Sequence, residues 1–387
     1  MDFQNAQKSA ATRREAESKR AGSGDVAGNG GGDVIPPPDS HNLNAVGVHW
    51  LCCSFPTKAL GLVTTFLSSM FGKSEQDEFG LWSYTDRHVW QNKASVNYDS
   101  DPERSERVHR GRATFDCPGG ALDELTAPDM TLLIDFFCKI GATCSRCDVY
   151  FDDYARIVSP KEVQPLIESS DYTGFRQAAF TRSYKGKTLA YDMAMFGGRG
   201  QQGHGKYLRF YDKYLESGGR ANCCRWECEF TGQRANAVFE TLAKTSGNLQ
   251  AFATLCGSLI AGSISFVRRT GDKNVSRLDR YEWWEQITAI LGKPLKIRIE
   301  RRPETVTGKI AWLTREVAPS LACLQNVFAS DSEFFGWLWD VLDAGEDRMN
   351  NFTAAIADEF SKAVTYDRAK HRVQINTKTG IRYVKMS

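Results

Sequence analysis

The chain has 387 residues, a length that suggests two folded domains or one large domain with an appendage. Its composition, 41% hydrophobic and 25% charged, is typical of a globular protein that buries a sizeable core. Because 49 Lys and Arg stand against 47 Asp and Glu, the formal charge is only +2. This balance argues against a polybasic coat for nucleic acid, although it leaves room for a local basic groove.

The sequence supports neither a membrane span nor a secretory signal. It has no stretch of about 18 uncharged apolar residues, and its first residues are polar rather than apolar. The 11 cysteines lie in apolar runs such as Leu51-Cys52-Cys53, which is typical of reduced core residues. We therefore expect a cytoplasmic protein without a membrane partner.

The first elements follow a polar leader. Residues 1–38 hold almost no large apolar side chains, so we expect this segment to be disordered. A strand is then predicted over residues 46–56 and a helix over 57–70. After a polar stretch, the pattern indicates a strand near 112–116 and a helix near 128–140.

From residue 146 the pattern changes to strands separated by turn residues. Strands are predicted over residues 146–152, 177–184, 188–195, 206–213 and 224–230, with a short one at 263–268. Helices are predicted over residues 233–244, 249–260 and 283–291, and the remainder from about 304 is predicted to be mostly helical. We therefore expect an α+β fold: a central, mostly antiparallel sheet of about six strands flanked by helices, with a C-terminal helical appendage.

Polar side chains recur at every second position of three central strands, which places them on one face of the sheet. These side chains are Asp148, Tyr150 and Asp152, then Arg209, Tyr211 and Lys213, then Arg225, Glu227 and Glu229. One interpretation is a half-solvated sheet with cross-strand ion pairs. The other is a site that cleaves a phosphodiester, because the face holds a nucleophile, cations for a phosphate and oxygen ligands for a divalent metal.

These segments resemble a known family. Lys206-Tyr-Leu-Arg-Phe-Tyr-Asp-Lys213, followed by Arg225-Trp-Glu-Cys-Glu229, is similar to the signature of the replication initiation factor family, the Rep-trans type initiators of rolling-circle plasmids and filamentous phages. Residues 145–154 resemble the family's Arg-x-Asp strand, and residues 197–200 resemble the segment before its tyrosine strand. The resemblance covers residues 46 to 270, with the motifs in the family's order.

The resemblance implies a relaxase-like nickase that cuts and rejoins one DNA strand at an origin. Tyr211 matches the catalytic tyrosine, which would form a 5′-phosphotyrosyl link and free a 3′-hydroxyl. A free phenol has a pKa of about 10 and is a poor nucleophile at neutral pH, so cations are needed beside it. Arg209 and Lys213 are the predicted cations. The expected division is a disordered leader at 1–38, a catalytic nickase domain at 39–246 and a mostly helical region at 247–387 that binds DNA or a partner.

A divalent metal, Mg²⁺ or Mn²⁺, is the expected cofactor. Asp148 and Glu227 are its leading predicted ligands, with Asp152 and Glu229 as alternates. The His-hydrophobe-His motif of related nickases is absent from the sequence. His49 and His204 remain as single histidines, which are more often surface or core residues than metal ligands.

The expected partners are double-stranded origin DNA and the nicked single strand, with host helicase, host polymerase and a second copy of the chain as further candidates. The predicted DNA-binding residues are Arg146, Arg199, Arg225, Arg268 and Arg269. The basic cluster at 296–302 and the pair Trp283-Trp284 are further candidates for DNA contact, with surface solvation and core packing as their alternatives.

Other patterns are less informative. Cys144-x-x-Cys147 with the cysteines near residue 224 could hold zinc, but core packing explains them better because no ribbon spacing flanks them. The glycine-rich loop at 198–203 lacks the Lys-Ser/Thr of a phosphate-binding loop. The main alternative function is a DNA-binding replication or transcription regulator that keeps this fold without nicking; a small-molecule or RNA-processing enzyme has no cofactor motif in its favour.

Overall fold

The structure, a computed structural model, describes residues 46–385 apart from 78, 92, 200–204, 271, 273, 275–276, 298–305, 347, 350–353, 355–356, 358–362, 371 and 378–379. The expected disordered leader at 1–38 lies outside the described residues. Among the helices that are described, none combines the length and the apolar character that a membrane crossing needs.

The described residues form strands and helices in alternation. The strands are β1 (Val46–Pro56), β2 (Glu75–Asp77), β3 (Asp86–Val89), β4 (Ser95–Tyr98), β5 (Arg112–Cys117), β6 (Thr143–Asp153), β7 (Tyr172–Thr173), β8 (Ala178–Lys185), β9 (Thr188–Phe196), β10 (Lys206–Asp212), β11 (Cys224–Thr231), β12 (Ser265–Phe266), β13 (Val364–Asp367), β14 (Arg372–Thr377) and β15 (Gly380–Lys385). The helices are α1 (Leu60–Phe71), α2 (Pro102–His109), α3 (Gly119–Leu122), α4 (Ala127–Lys139), α5 (Pro160–Glu168), α6 (Lys213–Glu216), α7 (Gly232–Ala243), α8 (Leu249–Ser263), α9 (Glu282–Leu291), α10 (Val306–Trp312), α11 (Ala318–Gln325) and α12 (Asp331–Glu346).

The predicted α+β fold with an antiparallel sheet is confirmed, but the sheet is larger than expected. Ten strands pair in the order β2-β3-β4-β5-β1-β6-β11-β10-β9-β8. The sequence indicated most of the central strands and missed β2, β3 and β4. Those strands have only three or four residues and are largely polar, so they show no alternation to detect.

The chain divides into two compact units that are interleaved in sequence. The first unit holds residues 46–49, 148–230 and 245–296, and the second holds 50–147, 231–244 and the residues from 297 onward. Neither unit coincides with the expected ranges 39–246 and 247–387, because residues 247–296 belong to the first unit. The functional division into a nickase domain and a binding region stays a prediction.

The core of the first unit explains why residues 247–296 belong to it. Phe210 of β10 and Trp226 of β11 stack with 3.7 Å between their ring centroids. Trp226 also lies 5.4 Å from Trp284 of α9 and 5.9 Å from Phe266 of β12. All these side chains are fully buried. Because alternate residues of a strand point to opposite faces, the remaining residues of β10 and β11 form the other face of the sheet.

The second unit has its own aromatic core and a sheet that the sequence did not indicate. Phe115 of β5 and Phe137 of α4 stack with 4.5 Å between their centroids. Strands β13, β14 and β15 form a separate antiparallel sheet in a region expected to be mostly helical. Val373 and Ile375 of β14 pack against Val306 of α10, which anchors this sheet.

Candidate functional site

The predicted polar face is brought together by strand order, since β6, β11 and β10 are neighbours in the sheet. The register between β10 and β11 places Tyr211 opposite Arg225, and Arg209 opposite Glu227. Directly opposed residues of an antiparallel pair share one face and lie close together. Each of these cross-strand pairs therefore joins groups that can hydrogen bond or form ion pairs.

The Glu227 carboxylate contacts three other side chains of the site. The Tyr211 hydroxyl donates a hydrogen bond to its Oε2 at 2.9 Å. Arg209 donates to its Oε1, and the Nδ1 of His49 lies 3.3 Å from the same oxygen. Glu227 is 1% exposed and Tyr211 is 4% exposed. The proposed nucleophile therefore lies in a buried network with its proton directed at a carboxylate.

Arg209 joins the two leading candidates for metal binding. Its guanidinium donates to Oδ2 of Asp148 at 3.4 Å as well as to Glu227. Asp148 is fully buried, whereas the Arg209 side chain keeps 21% of its surface exposed. The single positive charge of the guanidinium is thus shared between two buried carboxylates, and part of the Arg209 side chain stays exposed.

The alternate metal candidates are also paired with arginine. Arg225 holds Asp152 with two hydrogen bonds, Nε to Oδ1 at 2.6 Å and Nη2 to Oδ2 at 2.8 Å. The Arg225 guanidinium also lies 4.2 Å from the centre of the Tyr150 ring. Bidentate geometry in a buried place makes this a strong, fixed pair. The guanidinium of Arg225, predicted to bind DNA, is therefore already engaged inside the unit.

The end of β10 differs from the prediction. The strand stops at Asp212, so Lys213 is the first residue of α6 and does not continue the strand face. Asp212 caps that helix by accepting from the backbone N–H of Tyr214 at 2.9 Å, and it pairs with Arg156. The Lys213 Nζ lies 5.9 Å from the centre of the Tyr211 ring and 2.7 Å from a carboxylate oxygen of Glu216.

The protonation states follow from burial and charge. Burial raises the pKa of Tyr211 well above its usual value, and the negative charge of Glu227 adds to this effect. Burial by itself would also raise the pKa of Glu227, but Arg209 and His49 outweigh it and hold that pKa well below its usual range. At neutral pH the site therefore pairs a neutral phenol with an ionised carboxylate.

The predicted metal ligands offer the hard oxygen atoms that Mg²⁺ or Mn²⁺ prefers, but their arrangement does not fit a bound metal. Asp148 and Glu227 share the Arg209 guanidinium, and Glu229 pairs with Arg199 at 3.0 Å. In the described part of the chain no three His, Cys, Asp or Glu side chains are grouped so that they could hold a metal ion. The zinc alternative therefore has no support either, and Cys144 and Cys147 are buried core residues.

The remaining predicted DNA-binding residues are dispersed. Arg146 lies over the Trp50 ring at 4.0 Å, and Arg268 lies over the Tyr281 ring at 4.8 Å. Arg269 donates to the backbone oxygens of Ser170 and Tyr172, each at 3.1 Å. Their contact with DNA stays a prediction. Of the other candidates, Trp284 is a core residue, and His204 and most of the basic cluster at 296–302 lie outside the described residues.

His49, which the sequence offered only as a possible single metal ligand, is a residue of the site through its contact with Glu227. It lies on β1, 178 residues away from the Glu227 carboxylate that it contacts. Its ring also meets Tyr150 edge-on, with 6.0 Å between the centroids. Nothing local in the sequence marks this contact, because it depends on the pairing of strands that are distant in the chain.

The fold is shared with a known structure. The structure of a rolling circle replication initiator protein from Geobacillus stearothermophilus is 18% identical to the chain, with a TM-score of 0.51. The similarity covers 65% of this chain and 99% of that chain. At this identity the likeness shows a common fold and no more.

The family follows from the sequence itself. The model of the replication initiation factor family (Rep_trans) matches residues 142–336, which is half of the chain. The chain belongs to this family, and the predicted resemblance is confirmed. The matched region starts later than the expected residue 46 and extends beyond residue 270. No curated protein matches the chain.

Proposed function

We propose that the protein initiates rolling-circle replication by nicking and rejoining one DNA strand at an origin, with Tyr211 as the nucleophile. Membership of the replication initiation factor family supports the initiator role. The observation that carries the nicking reaction is the hydrogen bond from the Tyr211 hydroxyl to Glu227. A tyrosine whose proton is directed at an ionised carboxylate is prepared to lose that proton when it attacks.

The reaction is a transesterification at phosphorus. The Tyr211 oxygen attacks the scissile phosphate and passes its proton to Glu227, while the bond from phosphorus to the 3′ oxygen breaks. The products are a 5′-phosphotyrosyl link and a 3′-hydroxyl, and the proton that Glu227 accepts balances the one that the 3′ oxygen takes up. Rejoining is the same step in reverse.

Arg209 is the cation in this proposal. Its side chain is partly exposed, and its guanidinium lies beside Glu227, where it can contact the phosphate oxygens as negative charge builds on them. The Lys213 Nζ lies 5.9 Å from the centre of the Tyr211 ring and is paired with Glu216. Because Tyr211 is 4% exposed, DNA must also draw the phenol outward before attack.

A requirement for Mg²⁺ or Mn²⁺ stays a prediction, and the steps above use no metal. Origin DNA and the nicked strand are the substrates that this proposal implies. Host helicase, host polymerase, a second copy of the chain and a cytoplasmic location stay predictions as well.

The test is nicking of supercoiled origin DNA. Wild-type protein should give nicked circles and a covalent protein–DNA adduct, and Tyr211→Phe should give neither. Tyr207→Phe is the matched control, because it removes a hydroxyl from the same face of β10, opposite Glu229 rather than Glu227. The proposal fails if wild type forms no nick and no adduct, or if Tyr211→Phe nicks as well as Tyr207→Phe.

The second candidate is a DNA-binding regulator of this family that does not nick. The burial of Tyr211 and its raised pKa favour it, because a neutral, enclosed phenol is a weak nucleophile. Origin binding by wild type without nicks or adduct would support this candidate.

A further inference from the structure

The near-neutral charge of the chain conceals a strongly basic segment. Residues 364–385 hold six Lys or Arg and a single acidic residue, Asp367, which gives a formal charge of +5. The whole chain carries only +2. Helix α12 has the opposite character, since it contains five acidic residues and no Lys or Arg. Of the six cations, Arg372 lies on β14, and Arg382 and Lys385 lie on β15.

This small sheet has an inner and an outer face. On β14, Val373 and Ile375 point inward and pack against α10. The alternate residues of β14, Arg372, Gln374 and Asn376, therefore point outward. The register sets Tyr383 of β15 opposite Gln374, which places its ring on the outer face.

The outer face carries an exposed aromatic ring, a cation and side-chain amides. Tyr383 is 49% exposed, and Ile381 beside it is 55% exposed. The Arg372 guanidinium lies 4.1 Å from the centre of the Tyr383 ring, so a stacking surface and a cation are held together. The side-chain amides of Gln374 and Asn376 are hydrogen bonded to each other at 3.1 Å and can also reach base edges.

We propose that the outer face of the sheet β13–β15 is a binding platform for single-stranded DNA. A single strand exposes base faces that can stack on Tyr383, whereas a duplex keeps its bases inside. Its phosphates are opposite in charge to the segment. The Arg372 Nε lies 3.7 Å from Oδ2 of Asp367, but 30% of the Arg372 side chain is exposed, so it can also contact a phosphate. The choice of DNA over RNA rests on the proposed function, whereas the preference for a single strand rests on the sheet.

The experiment measures binding of full-length protein to fluorescently labelled oligo-dT and to a duplex of equal length by anisotropy. Wild type should bind oligo-dT more tightly than the duplex. Tyr383→Ala should weaken oligo-dT binding by about tenfold, and Tyr383→Phe should retain it because the ring remains. Arg372→Gln should weaken binding and reduce the salt slope by about 0.7.

Tyr366→Ala is the matched control. Tyr366 lies on β13 of the same sheet and is 55% exposed, but its partner Val373 belongs to the inner face. The Tyr366→Ala variant should bind oligo-dT as tightly as wild type. The proposal is overturned if Tyr383→Ala binds like wild type, if Tyr366→Ala loses as much as Tyr383→Ala, or if oligo-U or poly-glutamate binds the sheet better than oligo-dT.

The experiments distinguish failure of the single-strand platform from failure of the proposed nicking function. If wild type binds oligo-dT through Tyr383 but forms no nick or adduct, the platform stands and the proposed function is wrong. If wild type nicks and Tyr383→Ala binds oligo-dT unchanged, the proposed function stands and the platform is wrong.

Discussion

Each carboxylate on the polar face is held by a guanidinium, and this pairing determines what the site can do. Glu227 meets Arg209, Asp152 meets Arg225, and Glu229 meets Arg199. Buried carboxylates without partners would become protonated or bind cations from solution. Here the cations are built into the chain, so Glu227 stays ionised at neutral pH and can accept the hydrogen bond of the Tyr211 hydroxyl.

Glu227→Gln separates proton transfer from metal binding. The amide keeps the size of the side chain and an oxygen for the Tyr211 hydrogen bond, but it is not basic enough to take the proton. Nicking should therefore fall by about 100-fold or more. The rate of nicking of supercoiled origin DNA, measured over a range of Mn²⁺ concentrations, checks this.

Glu229→Gln is the control for that variant, because Glu229 lies on the same strand face but opposite Tyr207. It should keep most of the wild-type rate. If high Mn²⁺ restores nicking by Glu227→Gln, Glu227 acts as a metal ligand. If Glu227→Gln nicks at the wild-type rate without added Mn²⁺, Glu227 has no role in the reaction.

At the level of elements, α8 makes unusually close backbone contacts, within the first unit, with the chain at the end of α9 and just after it. A Cβ atom placed on Gly262 would lie 2.0 Å from the backbone oxygen of Leu295, and one on Gly257 would lie 2.5 Å from that of Leu291. The backbone N–H of Leu295 donates to the oxygen of Ser258 at 2.8 Å. Only glycine allows the following chain to run this close to the helix.

Gly262→Ala should therefore destabilise the protein by about 1–3 kcal/mol, the usual cost of an overpacked position. Gly61→Ala is the control, because Gly61 lies in α1 with nothing within 4 Å of its added Cβ. That variant should change stability by at most about 1 kcal/mol, in the stabilising direction. Urea unfolding followed by circular dichroism measures both, and equal stability of the two variants would contradict the close packing.

Periodicity predicted those elements whose faces differ in polarity. β10 and β11 alternate between aromatic core and charged residues, so both the strands and their polar face could be read from the sequence. β14 also alternates, with Val373 and Ile375 between polar residues, but the helical patterns around it favour a helix over a strand in this region. β2 to β4 are too short to show a period.

The sequence predicts which residues lie in the site better than it predicts which of them contact each other. Sequence alternation places Arg209 and Glu227 on one face, but which cation meets which carboxylate depends on the register between strands. That register is set by turn geometry and by long-range packing. For the same reason the contact of His49 with Glu227, and the occupation of the predicted metal ligands by arginines, could not be foreseen.

For the whole molecule, the buried site makes stability depend on pH at the alkaline end. The folded state raises the pKa of Tyr211, whereas in the unfolded chain the phenol ionises near pH 10. Its contribution to stability is thus fully present below pH 10 and is lost as the pH rises toward the folded pKa, because only the unfolded state releases the proton. Tyr211→Phe removes this dependence, so the variant should lose less stability than wild type between pH 9 and pH 11. Urea unfolding of both proteins at both pH values measures the two losses of stability. Lysine side chains also titrate in this range, but they do so equally in both proteins and cancel in the comparison. Equal losses would show that the phenol ionises as readily in the folded protein as in the unfolded chain.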